Sequence, residues 1–185
     1  MTYLAGARTL YSALPNTPSA ARWSLPFPLA VFGTLRRCFA NHHLMQLGRI
    51  QAHRYAFLPH FWARDLELIF HAGASTPCEV FFYAPDQWQR VIGPVDELEA
   101  FVPGQVQASG YHRTLAWLRL LPDSFCHPLF EATELAHERN LAIERSHWEE
   151  YEQVPCWVYA NVRANQQARE MIDTPVIWDG LGADP

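Results

Sequence analysis

The chain has 185 residues, 49% of them apolar and seven of them tryptophan, which excludes disorder and low complexity and fits one domain with a sizeable core. Its net charge of -5, with Arg36-Arg37 as the one basic doublet, excludes a reader of nucleic-acid backbones, which needs concentrated cationic side chains. Cys38, Cys78, Cys126 and Cys156 lie too far apart for a metal pair, and a chain of this size needs no disulfide framework, so free and mostly buried thiols are expected. No apolar run is long enough to span a bilayer and no secretory-signal pattern opens the chain, so no membrane partner and a cytoplasmic location are expected.

Residues 1–26 place Pro15, Pro18 and Pro26 around Asn16, Thr17 and Ser19 and read as a turn-rich arm on the domain surface, so that 1–27 precede a single domain over 28–185. A strand is expected at about 28–33, then a helix from Leu35 to Leu47 with Leu35, Phe39 and Leu44 facing inward. Arg49 to Phe57 reads as a second strand, interrupted by Pro59. Leu66, Leu68 and Phe70 alternate like a strand until Gly73 and Pro77 close the segment. The β-branched and aromatic run from Glu79 to Tyr83 reads as a core strand, ended by Pro85-Asp86. Helical turns bearing Trp88, Val91 and Ile92 follow, and after Pro94 a separate short helix runs from Val95 to Phe101. Tyr111 to Leu121 is the longest strand candidate. Residues 123–153 are acidic and helical in pattern, Cys156 to Tyr159 form the last strong strand, and a short helix falls near 164–171. Strands outnumber long helices and short turns join them, which predicts an α+β fold with a small, mixed, barrel-like sheet and flanking helices.

Within this frame three groups of residues carry chemistry. In Leu29-Ala30-Val31-Phe32-Gly33-Thr34-Leu35-Arg36 an apolar strand ends in a Gly-Thr turn, a pattern that leaves a nest of backbone N–H groups for a small anion. The glycine is expected to serve the turn's closeness or its φ angle. Asp96 and Glu99 share one helix face while Glu97 points elsewhere. Where that face meets the core, Glu99 loses solvation and its pKa rises, which suits a proton shuttle near neutral pH; the plainer reading is a solvated acidic surface with Asp96 near an N-cap. Tyr111 and Arg113 alternate onto one face of a strand with His112 opposite, and Arg113 pairs with Asp96 or Glu99, either structurally or to orient a substrate. Tyr159 reads as core, its hydroxyl in need of a partner. His42 and His43 diverge by about 100° on a helix and cannot share a metal, and no closely spaced ligand set supports zinc.

Taken together, these residues resemble the gamma-glutamylcyclotransferase superfamily, in particular its plant-induced-protein-like and gamma-glutamylamine-cyclotransferase-like branch. The family's Tyr-Gly-Ser/Thr-Leu turn, followed by Arg and then Asn-His, is similar to Phe32-Gly33-Thr34-Leu35-Arg36 and Asn41-His42-His43. Its Gly-Glu-Leu/Val-Tyr strand corresponds to Cys78-Glu79-Val80-Phe81, and its Leu-Asp-x-x-Glu-Gly-Phe/Tyr signature to Val95-Asp96-Glu97-Leu98-Glu99-Ala100-Phe101. The Tyr-x-Arg strand is Tyr111-His112-Arg113, and the late Ala-Trp-Val-Tyr strand is Cys156-Trp157-Val158-Tyr159. Phe32, Ala100 and Cys78 depart from the family's tyrosine and two glycines.

The resemblance implies cyclisation of a gamma-glutamyl group to 5-oxoproline with release of an amine or amino acid. Glu99 would be the catalytic base and acid. Phe32, Gly33, Thr34, Leu35 and Arg36 would bind the glutamyl end, with Tyr111, Arg113, Tyr159 and Asp96 in support. It implies no cofactor and no metal, and a small-molecule substrate. The oligomeric state stays open to a homodimer, since Trp62 and Trp148 suit core or interface alike. The rival is a non-catalytic domain that binds a small anion or gamma-glutamyl-like ligand, and a hydrolase using Glu99 to activate water would share the cleft. Residues 60–75 and 123–153 would wall the far side of the pocket.

Overall fold

The computed structural model describes residues 2–64, 67–105, 111–122, 151–161 and 177–178. Its centre is a small closed, five-stranded, mixed β-barrel-like sheet flanked by α-helices, as the strand count and short turns predicted. The strands are β1 (Leu29–Val31), β2 (Ile50–Arg64), β3 (Glu67–Tyr83), β4 (Tyr111–Leu120) and β5 (Gln153–Asn161), in the order β2-β3-β1-β5-β4 with β4 returning to β2. Among the described residues only the β1–β5 pair is parallel, and a two-residue strand β6 (Ile177–Trp178) adds to β4.

Alternation along the strands sorts side chains into two cores. Ala30, Ala56, Cys78, Ala116, Cys156 and Ala160 point into the barrel with Leu58, Val80, Phe82 and Val158. Few strands make a narrow bore, and small side chains are what such a bore accepts. The two thiols there are free and fully buried; burial pushes Cys78 up to about 12 and Cys156 well above the ordinary range, while Cys38 is free but exposed. Cys126 lies outside the described residues. The outward faces supply Leu29, Val31, Phe81, Leu115, Trp157 and Tyr159 to a second core beneath the helices.

The N-terminal arm differs from its turn-rich reading. Residues Thr2–Ala13 form α1, followed by a 3-10 turn (Leu14–Asn16) and α2 (Ser19–Arg22). Leu4, Ala7, Tyr11 and Leu14 recur at helical spacing, and Leu4 and Ala7 join the barrel's own core, so the arm is part of the packing rather than a cover on it. Every proline of 1–26 lies beyond α1. The helix expected over 35–47 shrinks to α3 (His42–Met45), because 34–41 fold into turns held by Asn41: its N–H donates to Thr34 O at 3.1 Å and its Nδ2 to Thr34 Oγ1 at 2.9 Å.

Neither Pro59 nor Pro77 breaks its strand. The β2–β3 hairpin runs through both, with Pro59 opposite Ser75 and Pro77 opposite Phe57. A register shift follows Pro59, where His60 takes φ 67, and Pro77 lies past the last β1–β3 pair, Val31 with Glu79. Bulges and unpaired strand edges are where a sheet tolerates a missing N–H. Likewise Pro94 sits inside one continuous helix, α4 (Trp88–Leu98), whose buried stripe of Trp88, Val91, Ile92 and Val95 outweighs the lost hydrogen bond. Residues 123–150 and the helix expected near 164–171 lie outside the described residues. Among those described, no helix is long and apolar enough to cross a membrane.

The end of α4 fixes the geometry of the next section. Glu99 is the C-cap, Ala100 follows at φ 53, and Phe101 N donates to Asp96 O at 2.8 Å while Ala100 N donates to Glu97 O at 3.2 Å. This pair of bonds is a Schellman ending, which asks for a left-handed residue where Ala100 stands. A Cβ there costs about 1–2 kcal/mol, partly offset by the entropy glycine loses on folding. Ala100→Gly is therefore expected to stabilise the protein by about 0.5–1 kcal/mol, read as a raised denaturant midpoint at unchanged slope.

Candidate functional site

Where β1 ends, the Gly33-Thr34-Leu35 turn and the C-terminal end of α4 face each other across a pocket of about 210 Å³. Ala30, Val31 and Phe32 form its strand wall, Leu98 and Glu99 come from α4, and Tyr111 and Tyr159 from β4 and β5. The structure thus brings together Phe32, Gly33, Thr34, Leu35, Glu99, Tyr111 and Tyr159. Asn41 also lines the pocket, a residue that periodicity could not single out; its Nδ2 bond to Thr34 Oγ1 leaves the threonine hydroxyl proton for a ligand. Gly33 is not among the described residues with left-handed φ, so the turn does not use its conformational freedom in that way.

Glu99 is half-buried, and among the described residues nothing hydrogen-bonds its carboxylate. Burial pushes it from the ordinary 4.5 up to about 7, and its place at the negative end of a helix acts in the same direction. A carboxyl poised there takes up and returns protons near neutral pH.

Asp96, one turn earlier, is in the opposite situation. The Tyr159 hydroxyl donates to its Oδ1, Arg113 Nη1 lies 3.4 Å from its Oδ2, and Arg113 Nη2 donates to Trp23 O at 2.7 Å. Burial pushes the Asp96 carboxyl up, with Arg113 and Tyr159 pulling against it. The Arg113 guanidinium is packed over the rings of Trp157, Phe101 and Trp23 at 5.1, 5.4 and 5.8 Å. Asp96 and Arg113 do not line the pocket; they orient Tyr159, which does. With its hydroxyl proton donated to Asp96 Oδ1, the Tyr159 oxygen keeps acceptor capacity for the pocket.

Arg36 also stands away from the pocket. Its side chain is 1% exposed, with Nε 3.6 Å from Oε1 of Glu79. Glu79, equally buried, accepts the Arg37 amide at 3.1 Å and faces His53 Nε2 at 3.3 Å. Burial alone would raise its carboxyl; His53, the Arg37 amide and the Arg36 charge outweigh that and hold it below the ordinary range. All fourteen cationic residues of this chain are arginine, the side chain suited to such buried pairing. His42 is half-buried with Nδ1 3.1 Å from Leu35 O, and His43 is exposed. Among the described residues no three His, Cys, Asp or Glu side chains group to hold a metal.

A larger groove, about 600 Å³, runs between α1 and the sheet past Leu10, Pro26, Pro28 and Phe82. Among the described residues its titratable side chain is Tyr83, which donates its hydroxyl to Met45 O at 2.8 Å. No protein-family model matches the chain, and no curated protein matches it significantly.

The raised pKa of Glu99 has a consequence for stability. Folding favours its protonated form, so the native state is relieved of the cost below pH 4.5 and carries it in full above about 7. Glu99→Gln removes the charge. The variant should match the wild type near pH 4, gain between 4.5 and 7, and be more stable by about 2–3 kcal/mol at pH 8 in denaturant titrations.

Proposed function

We propose that the chain is a cofactor-independent cyclotransferase of the gamma-glutamylcyclotransferase-like fold, converting a gamma-glutamyl compound to 5-oxoproline and a free amine or amino acid. The observation that carries this reading is the Glu99 carboxyl, raised to about 7 and unpaired among the described residues, facing the Gly33-Thr34-Leu35 turn across one small pocket.

In the reaction the substrate's own α-amine attacks its γ-carbonyl carbon. Nucleophile and electrophile belong to one molecule, so catalysis consists largely of holding them in a folded, near-attack arrangement. Backbone N–H groups of the turn and the Thr34 hydroxyl grip oxygens of the glutamyl end. The Tyr159 lone pair and Glu99 face the ammonium group. Glu99 accepts a proton as the new C–N bond forms and returns one to the departing nitrogen as the old C–N bond breaks, so charge and atoms balance. Arg36, Asp96, Arg113 and Tyr111 serve the shape of the site. The substrate is a small molecule, and a cytoplasmic location and a monomer or homodimer accompany this reading.

Phe32 favours a second reading, since it brings a ring to the pocket wall without the phenol hydroxyl of the family motif. A non-catalytic domain would bind the same glutamyl end and release nothing. Incubation with a panel of gamma-glutamyl compounds separates the readings: 5-oxoproline marks cyclisation, glutamate marks hydrolysis, and saturable binding without product marks the binding domain. For the cyclotransferase, kcat/KM is expected to rise with pH through about 7 as Glu99 ionises. Glu99→Gln should keep the fold and lose at least about 100-fold in kcat; a folded variant of near wild-type rate would overturn the role of Glu99.

A further inference from the structure

The pocket turn leaves β1 after Val31 and returns to the sheet at Arg36 and Arg37, and both ends meet one side chain. Glu79 of β3 is the register partner of Val31. Its Oε1 lies 3.6 Å from Arg36 Nε, and its Oε2 accepts the Arg37 N–H at 3.1 Å with Arg37 Nε 3.6 Å away. The Arg36 N–H donates in turn to Gly33 O at 3.1 Å, which closes the turn itself. Farther out, the Arg37 guanidinium donates to the Tyr55 hydroxyl, and Tyr55 sits opposite Glu79 in β2.

We infer that Glu79 is the positioning residue of the pocket, a buried carboxylate clasp that holds Gly33, Thr34 and Leu35 in the shape that presents their N–H groups to a ligand it never touches. Glu79 does not line the pocket, so its influence passes through Arg36 and Arg37. It stands on a strand paired on both sides, a rigid base from which to fix a loop. Taking Glu79 and Arg36 out of water costs several kcal/mol per ion, which an apolar pair in the same place would avoid. A charged clasp gives direction instead: one oxygen accepts the Arg37 N–H while the other faces the Arg36 guanidinium, which apolar contact does not do.

The inference deepens the cyclotransferase reading and rests on it for its kinetic consequence, but the shape of the turn can be tested without it. Two variants of the full chain serve: Glu79→Gln, and the double variant Arg36→Met with Glu79→Gln, which removes both buried charges together and keeps the comparison open if the single variant does not fold. Amide hydrogen exchange at Arg36 and Asn41, whose N–H groups close the turn on Gly33 O and Thr34 O, is expected to quicken about tenfold while the β5 amides keep their wild-type rates. With a substrate that wild type converts, KM should rise about tenfold while the pH midpoint set by Glu99 stays in place. Unchanged exchange at Arg36 and Asn41, quickening shared equally by β5, or an unchanged KM would each overturn the clasp. Absence of 5-oxoproline from the wild type would instead overturn the cyclotransferase, and the exchange result would still decide Glu79.

Discussion

The buried pair between Asp96 of α4 and Arg113 of β4, completed by the Tyr159 hydroxyl of β5, joins the helical layer to the barrel through groups cut off from water. Breaking such a pair leaves an uncompensated charge, at a cost of about 3–5 kcal/mol, so it pins α4 to one position along the strands. Everything at the end of α4 follows from that pin. Asp96 O accepts the Phe101 N–H, the Schellman ending turns the chain, and Glu99 is left at the cap facing the pocket. Phe101, on the far side of the turn, closes against Trp23 and Tyr159 with ring centroids 5.1 and 6.3 Å away.

Three carboxylates, two buried and one half-buried, thus do three different things. Asp96 is bonded and ties elements together; Glu79 is bonded and ties a loop; Glu99 has no described partner and is the one whose proton is free to move. The difference follows their partners, and it is the pattern by which acid and base roles are separated on one scaffold. A cost is attached to Glu99, because a carboxylate kept half-buried without partners weakens the native state, and the two bonded acids supply the rigidity that holds it there.

Much of this was legible in the chain. The strand from Glu79 to Tyr83, the strand from Tyr111, the final Cys156–Tyr159 strand and the barrel-like sheet follow from β-branched and aromatic runs between short turns. The turn at Gly33 and the acid at Glu99 were also recognisable, since both are short local patterns. Proline is the weaker guide here. Pro15, Pro18 and Pro26 suggest turns throughout the arm, although Leu4, Ala7, Tyr11 and Leu14 keep helical spacing before them; Pro59, Pro77 and Pro94 suggest stops where a bulge, a strand edge and a strongly apolar helix face absorb them. The place of Arg36 was hidden for another reason. Its partner Glu79 is distant in the chain, and no periodicity announces a contact between a loop and a strand interior.

The barrel closes through a short seam. Among the described residues Ala56 with Leu120 and Phe57 with Arg119 pair β2 to β4, extended by Leu121 N on Tyr55 O at 2.8 Å and Arg54 Nη2 on Leu121 O at 2.6 Å. The β2–β3 hairpin, by contrast, joins neighbours in sequence over nearly its whole length. Bringing distant segments together costs loop entropy before any contact repays it, so in folding the hairpin has every reason to form early and the seam to close late. The same asymmetry makes the seam the natural line along which the barrel opens in its native fluctuations.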